Sequence, residues 1–198
     1  LTDANGLTLR SLIGWQTAPF HTVSLAAQLI NVAQLQDNFN DGVPQHAPVY
    51  AYSNQPGMES YAKIVDPEYT GINQLYADIG ALPDTRIRIG RQQVNLDNVR
   101  FIGDIGFRQL MQVYDGLSIF NKSITDTEVY LAHFESVRQI NTQLRTDGAL
   151  EVANIKYRFT ETESLTGYGY FSSFDNLGFG KSWFGDGNDG ANQSNRPL

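Results

Sequence analysis

Apolar and polar residues take alternate positions in eight short runs along this chain, the period of a β-strand with one face more apolar than the other. Each run predicts a strand. In the first, Leu7, Leu9, Ser11, Ile13 and Trp15 lie opposite Thr8, Arg10, Leu12, Gly14 and Gln16; in the second, Val23, Leu25, Ala27 and Leu29 lie opposite Thr22, Ser24, Ala26 and Gln28. The third sets Asn73, Leu75, Ala77 and Ile79 against Gln74, Tyr76 and Asp78, and the fourth sets Ile87 and Ile89 against Arg86, Arg88 and Gly90. The fifth, about residues 112–121, has an ambiguous pattern, because Val113, Leu117 and Ile119 share a face with Asp115; the Asp is assigned inward. The sixth sets Tyr130, Ala132 and Phe134 against Leu131, His133 and Glu135, and the seventh Ala153, Ile155, Tyr157 and Phe159 against Asn154, Lys156 and Arg158. The eighth sets Thr166, Tyr168 and Tyr170 against Gly167 and Gly169.

The connections alternate in length. Short ones fall at 17–20, 80–84, 122–126 and 160–164, a medium one at 141–148, and long ones at 34–71, 95–111 and 176–198. Outer-membrane barrels have this rhythm, with short periplasmic turns and longer outer loops. Pro44, Pro48, Pro56 and Pro67 argue against strands hidden in the first long loop. With the short turns periplasmic, both chain ends fall on the outer side. The expectation is therefore one partial barrel domain over residues 1–198, with further strands before and after, since an open sheet leaves two unpaired edges in lipid.

Composition narrows the function. Ten Tyr, eleven Phe and eighteen Gly with only 18% charged residues suit β structure, and the absence of Cys removes disulfide and thiolate chemistry. A formal net charge of −7 argues against a nucleic-acid partner, which requires excess Lys and Arg. No stretch approaches the roughly 18 apolar residues of a spanning helix, which leaves open a barrel whose strands cross with about 9–11 residues.

Enzyme chemistry has little support. His21, His46 and His133 are scattered, with neither metal-ligand spacing nor a triad pattern. Gly103–Gly106 and Gly178–Ser182 lack the spacing of a phosphate loop. Asp186, Asn188 and Asp189 form a weak calcium candidate without the later Glu of an EF-hand, so neither a catalytic residue, a metal nor a cofactor is assigned.

The inward basic residues carry the better clue. Strand parity places Arg10, Arg86, Arg88, Lys156 and Arg158 in the lumen against Asp78, Asp115 and Glu135, and Arg in a wet pore presents donors that match carboxylates. The same arginines also suit a plainer role, pairing with Asp and Glu to stiffen the wall. His133 reads as a polar lumen residue. Trp15, Phe20, Phe120, Phe134, Tyr157, Phe159 and Tyr168 read as interfacial girdles. Arg91 breaks the alternation of Ile87 and Ile89, either because the strand has left the hydrocarbon or because a bulge at Gly90 turns the side chain inward. Asn95, Asp97, Asn98, Arg100, Asp104 and Arg108 then suggest a folded-in loop held by charge-assisted hydrogen bonds, a candidate constriction.

The segment containing Arg91, GRQQVNLDNVRFIGDIGFRQLMQVYD from Gly90 to Asp115, is similar to a block of outer-membrane porins of the alginate-export type. Gly90, Arg91, Gln92, Asn95 to Asn98, Arg100, Phe101, Gly103, Gly106, Phe107, Arg108, Gln109, Tyr114 and Asp115 carry the match. The resemblance extends from about Ala4 to Phe179. It implies an all-β, antiparallel transmembrane barrel of about sixteen to eighteen strands in a Gram-negative outer membrane, about eight of them present here. It further implies passive passage of anionic solutes, or of an anionic polysaccharide such as alginate, without covalent chemistry or cofactor. Arg10, Arg86, Arg88, Arg91, Arg100, Arg108, Asp115, Lys156 and Arg158 are the pore-lining and anion-binding candidates. Lipid is the expected surrounding, and the oligomeric state stays open. Two other classes remain: a self-assembling β-sheet surface protein, and a barrel hydrolase with polar residues clustered at one rim.

Overall fold

The computed structural model describes residues 2–41, 57–140 and 145–173. Within them lie eight strands: β1 (Asn5–Gln16), β2 (Val23–Asn38), β3 (Tyr69–Ile79), β4 (Thr85–Gln92), β5 (Val113–Asn121), β6 (Thr127–Arg138), β7 (Arg145–Arg158) and β8 (Ser164–Ser172). They form one sheet in chain order, every neighbouring pair antiparallel. Among the described residues β1 pairs only with β2, and β8 only with β7.

Three of the four short turns have a shared device. His21, Asp84 and Asp126 sit at φ of 55°, 48° and 54°, the left-handed conformation in which Asp and His are enriched. Each lies in the turn of a hairpin, between β1 and β2, β3 and β4, and β5 and β6. The long connections gather at the opposite end of the sheet. Strand ends shift from the expected ones: β2 continues to Asn38 and β3 begins at Tyr69, so the connection is residues 39–68 rather than 34–71. Likewise β7 begins at Arg145, inside the connection expected at 141–148, and β4 and β5 leave 93–112 between them. The calcium candidates Asp186, Asn188 and Asp189, His46 and the segment 176–198 lie outside the described residues.

One face of the sheet is covered by residues 93–112; the other is open. Leu9, Ile13, Trp15, Leu25, Leu29, Leu75, Ile89, Leu131, Ile155 and Phe171 are exposed on the open face. On the covered face Val94 and Ile102 of the loop join Tyr114, Tyr130, Ala132, Phe134, Val137, Leu150 and Val152 in one core cluster, and Leu110 joins Ile30, Val32 and Tyr69 in another. Covering by an apolar loop explains why β2 outran its expected end, since Ile30 and Val32 carry the apolar positions onto the opposite face from Leu29.

The same cause redirects several residues. On β6 the covered side holds Tyr130, Ala132 and Phe134, while Leu131 and His133 are exposed on the open side and Glu135 is exposed too. His133 is thus not on the covered face; its Nδ1 meets Glu151 Oε1 at 2.6 Å in a cross-strand pair. On β5, Ser118 is buried and Phe120 lines the covered face, which leaves Leu117 and Ile119 on the open one. On β8, Tyr168 and Tyr170 pair in register with Asn154 and Val152 on the covered side and contact Phe101 of the loop. Of the expected girdle, Trp15, Phe20, Tyr157 and Phe159 remain exposed, whereas Phe120, Phe134 and Tyr168 face the loop side.

A band of backbone irregularity crosses β3 to β6. Asn73 is an extra residue opposite Gln28 and Leu29, and Glu135 an extra residue opposite Asp115 and Gly116. The bulge takes Asn73 off the face expected for it beside Leu75 and buries it completely. Between the two bulges Gly90, at φ 123°, pairs with Gly116. A Cβ at Gly90 would run into the Leu75 carbonyl oxygen and stand 3.0 Å from Tyr76 Cα, both main chain that cannot swing away. Gly90→Ala is expected to destabilise the barrel by about 2 kcal/mol or more, through strain and collision together. Gly167→Ala, where a Cβ meets nothing within 4 Å, is expected to stay within about 0.5 kcal/mol. The temperature at which the folded band is lost on an SDS gel checks both.

Candidate functional site

The site is built by the segment 93–112 lying across the covered face. Its hold is mostly apolar: Leu110 is completely buried, with Val94 and Ile102 nearly so, and each such anchor contributes about 1.5–3 kcal/mol. The expected charge-assisted bonds are fewer. Asp97 Oδ2 accepts from Asn154 Nδ2 at 2.7 Å, and Asp104 Oδ2 from Gln93 Nε2 at 3.3 Å. Asn95 and Asp104 act within the loop, taking the backbone N–H of Asp104 and of Gly106 and so setting its turns. Asn98 likewise accepts from the Arg100 N–H. The segment reaches from β1, where Gln109 Nε2 donates to Thr8 Oγ1 at 2.8 Å, to β8, where the Phe101 ring lies 5.3 Å from that of Tyr168.

The structure sorts the candidate arginines by what they touch. Arg88 forms a bidentate pair with Asp78 at 2.7 and 2.8 Å, directly across the β3–β4 ladder, and its guanidinium lies 3.6 Å from the centre of the Tyr76 ring. Arg91 does the same with Asp115, 2.7 Å on both arms, in the register row of Leu75, and Asp115 also accepts from Ser136. There is no register shift at Gly90, yet its positive φ falls one residue before Arg91. Arg10 donates to the main-chain carbonyls of Arg108 and Gln109. Arg108 lies over the Phe107 ring, Arg100 is exposed on the loop, and Arg158 stands 3.8 Å from Glu128.

Arg86 and Lys156 are left. Among the described residues neither has a carboxylate within ion-pair distance, and Arg86 rests 5.6 Å from the Phe120 ring centre. Both line a cavity of about 490 Å³ between the loop and the sheet, together with Gln92, Leu96, Phe120, Tyr130 and Asn154. Gln92 Nε2 is buried there without a hydrogen-bond partner among the described residues, its Oε1 being taken by Ser118. Two carboxylates also line the cavity: Asp97 accepts from the neutral Asn154 amide, and Glu128 pairs with Lys122 at 2.8 Å and stands opposite Lys156 in the β6–β7 register. The cavity thus sets Arg86, Lys156 and neutral donors beside two carboxylates that already have hydrogen-bond or ion-pair partners. Gln92, Tyr130 and Asn154 were not among the pore-lining candidates read from sequence, although each sits on the same parity as Arg86, Arg88 or Lys156. No cluster of potential metal ligands occurs among the described residues.

No family model and no curated protein matches the chain. Solved structures do. The chain is similar to Pseudomonas aeruginosa OpdK, in a crystal structure with vanillate, at 15% identity and a TM-score of 0.60, covering 84% of this chain and 43% of that one. For P. aeruginosa OpdL the values are 14%, 0.55, 84% and 40%, and an improved structure of OccK1 (OpdK) gives 14%, 0.58, 83% and 42%. The chain therefore spans less than half the length of the structures it matches. Their fold is that of outer-membrane β-barrel porins, not of the alginate-export type, and the likeness establishes that fold for these strands. The face covered by the loop corresponds to a barrel interior, and the open apolar face to its lipid side.

Arg91 and Asp115 are partly exposed, with about a quarter of each side chain accessible, so their pairing is worth far less than a buried one. A double-mutant cycle with Arg91→Ala and Asp115→Ala is expected to give a coupling of about 1 kcal/mol, read from urea unfolding of the barrel. A coupling indistinguishable from zero rejects the brace.

Proposed function

We propose that the chain forms wall and constriction of an outer-membrane porin that passes small anionic solutes, with its short turns on the periplasmic side. The porin fold supports the aqueous channel. One observation carries the anion preference: after Arg88 and Arg91 are neutralised by Asp78 and Asp115, Arg86 and Lys156 still face the cavity with no carboxylate within ion-pair distance among the described residues, Glu128 opposite Lys156 being paired with Lys122. In a narrow pore with low-dielectric walls, uncompensated cations raise the local concentration of anions. Phe120, Leu96 and Tyr130 add apolar wall, which suits a carboxylate on an organic body. OpdK was crystallised with vanillate, an aromatic carboxylate, and a molecule of that size fits within a cavity of about 490 Å³. A segment folded across the face from β1 to β8 favours small solutes over a threaded polysaccharide. The proposed pore-lining set is therefore led by Arg86 and Lys156, with Arg158 at its short-turn end.

Arg86→Gln combined with Lys156→Gln in the full-length protein is expected to lower the anion-to-cation permeability ratio several-fold, with Arg88→Gln acting mainly on stability. Reversal potentials in planar bilayers under a salt gradient measure this. An unchanged ratio in the double variant, with normal conductance, would falsify the assignment.

A further inference from the structure

We propose that Arg138 and Arg10 are the positioning residues of the inward loop, two guanidiniums from separate strands that hold its return leg by the main chain. Arg138, at the end of β6, is 6% exposed. Its Nη1 donates to Tyr69 Oη and to the Ile72 carbonyl, both at 3.0 Å; its Nη2 donates to Asn73 Oδ1 at 2.9 Å and to the Met111 carbonyl at 3.1 Å. Arg10, on β1, donates through Nη1 to the carbonyls of Arg108 at 3.0 Å and Gln109 at 3.4 Å. Four strands separate the two arginines in the sheet. The stretch from Arg108 to Met111 is thus strung between them, and Leu110 in its middle is completely buried.

The partners explain why arginine is required. Residues 108–111 belong to no strand, so sheet pairing does not take their carbonyls, and a buried carbonyl left unpaired is costly. Arg138 reaches acceptors on the sheet and on the loop at once because its planar fork spreads donors in fixed directions, which a lysine ammonium does not do. Its sheet-side acceptors are the Asn73 bulge and the main chain beside it, so the irregular band in β3 becomes the socket for the loop. None of the four acceptors is a carboxylate. The loop is held to dipoles, and the charge of Arg138 is not consumed by a hydrogen-bonded ion pair.

The conductance part of the test rests on the channel reading; the position of the loop does not. Arg138→Gln, Arg138→Lys and Arg10→Gln are made in the full-length protein, and folding is confirmed by the mobility shift on heating in SDS. Hydrogen exchange of residues 105–112, followed by mass spectrometry in detergent, is expected to accelerate tenfold or more in both Gln variants and to be restored only in part by Lys. Single-channel traces are expected to gain short-lived sub-states. Folded variants that keep wild-type exchange overturn the proposal. Should Arg138→Gln not fold, unchanged exchange in Arg10→Gln overturns it alone. Accelerated exchange alongside a wild-type protein that forms no channels leaves the positioning role standing and sinks the channel reading.

Discussion

A strand that crosses a bilayer must satisfy every N–H and C=O within its own sheet, because hydrocarbon offers no substitute partner. Side chains must then alternate strictly between two faces, and a residue can be re-aimed only where the ladder itself is interrupted. In this chain the ladder is interrupted at Leu35 on β2, at Asn73 on β3, and at Glu135 on β6 with the facing stretch of β7. Asn73 and Glu135 flank the positive-φ pair Gly90 and Gly116, and it is there that Arg138 docks, Arg91 meets Asp115, and the loop returns to β5. Irregularity is tolerated because the groups it frees are taken up: the Ile72 carbonyl accepts from Arg138 and from Arg91, and Asn73 is bonded to Gln28 as well as to Arg138. The kinked band and the loop therefore depend on one another.

That dependence settles how the basic residues are used. Two arginines brace the wall through cross-strand carboxylates, two hold the loop by its carbonyls, and the cations left facing the cavity are few. A tally of inward arginines overstates the field that a solute meets, since a bidentate pair is close to neutral at a distance. An acidic chain with net charge −7 can still present a local positive site, because the field at a point follows the nearest uncompensated groups rather than the total.

Strand number, order and turn positions were legible in the sequence because each hairpin follows a local rule, alternation bounded by turn residues. The face of each strand was legible on β1, β4 and β7, where polar lumen residues oppose apolar lipid-facing ones. It failed on β5, β6 and β8. There the loop brings Val94, Ile102 and Phe101 onto the inner face, so that both faces are apolar and hydropathy no longer distinguishes them. The exposed His133 and Glu151 added a second confusion, a polar pair on the side that composition marks as lipid. Loop 93–112 could be read as folded inward from its Asn, Asp and Arg content, but not what anchors it, since Leu110 and Ile102 look like ordinary loop residues until their neighbours are known. Arg138 gave no signal at all; its partners come from residues some 27 to 69 positions away.

The two kinds of hold have different responses to their surroundings. The loop rests on buried apolar anchors and on short hydrogen bonds, to main-chain carbonyls and to the carboxylates of Asp66 and Asp97, contacts that salt weakens little. In the proposed channel Arg86 and Lys156 would act on solutes through water, where charges are screened beyond about 8 Å at physiological ionic strength. Position and selectivity are therefore separable. On the proposed reading, rising salt would fade the preference for anions with the loop kept in place, and a change that loosens the loop would leave both cations where they are. On the proposed channel reading, geometry would be set by packing and discrimination by Arg86 and Lys156.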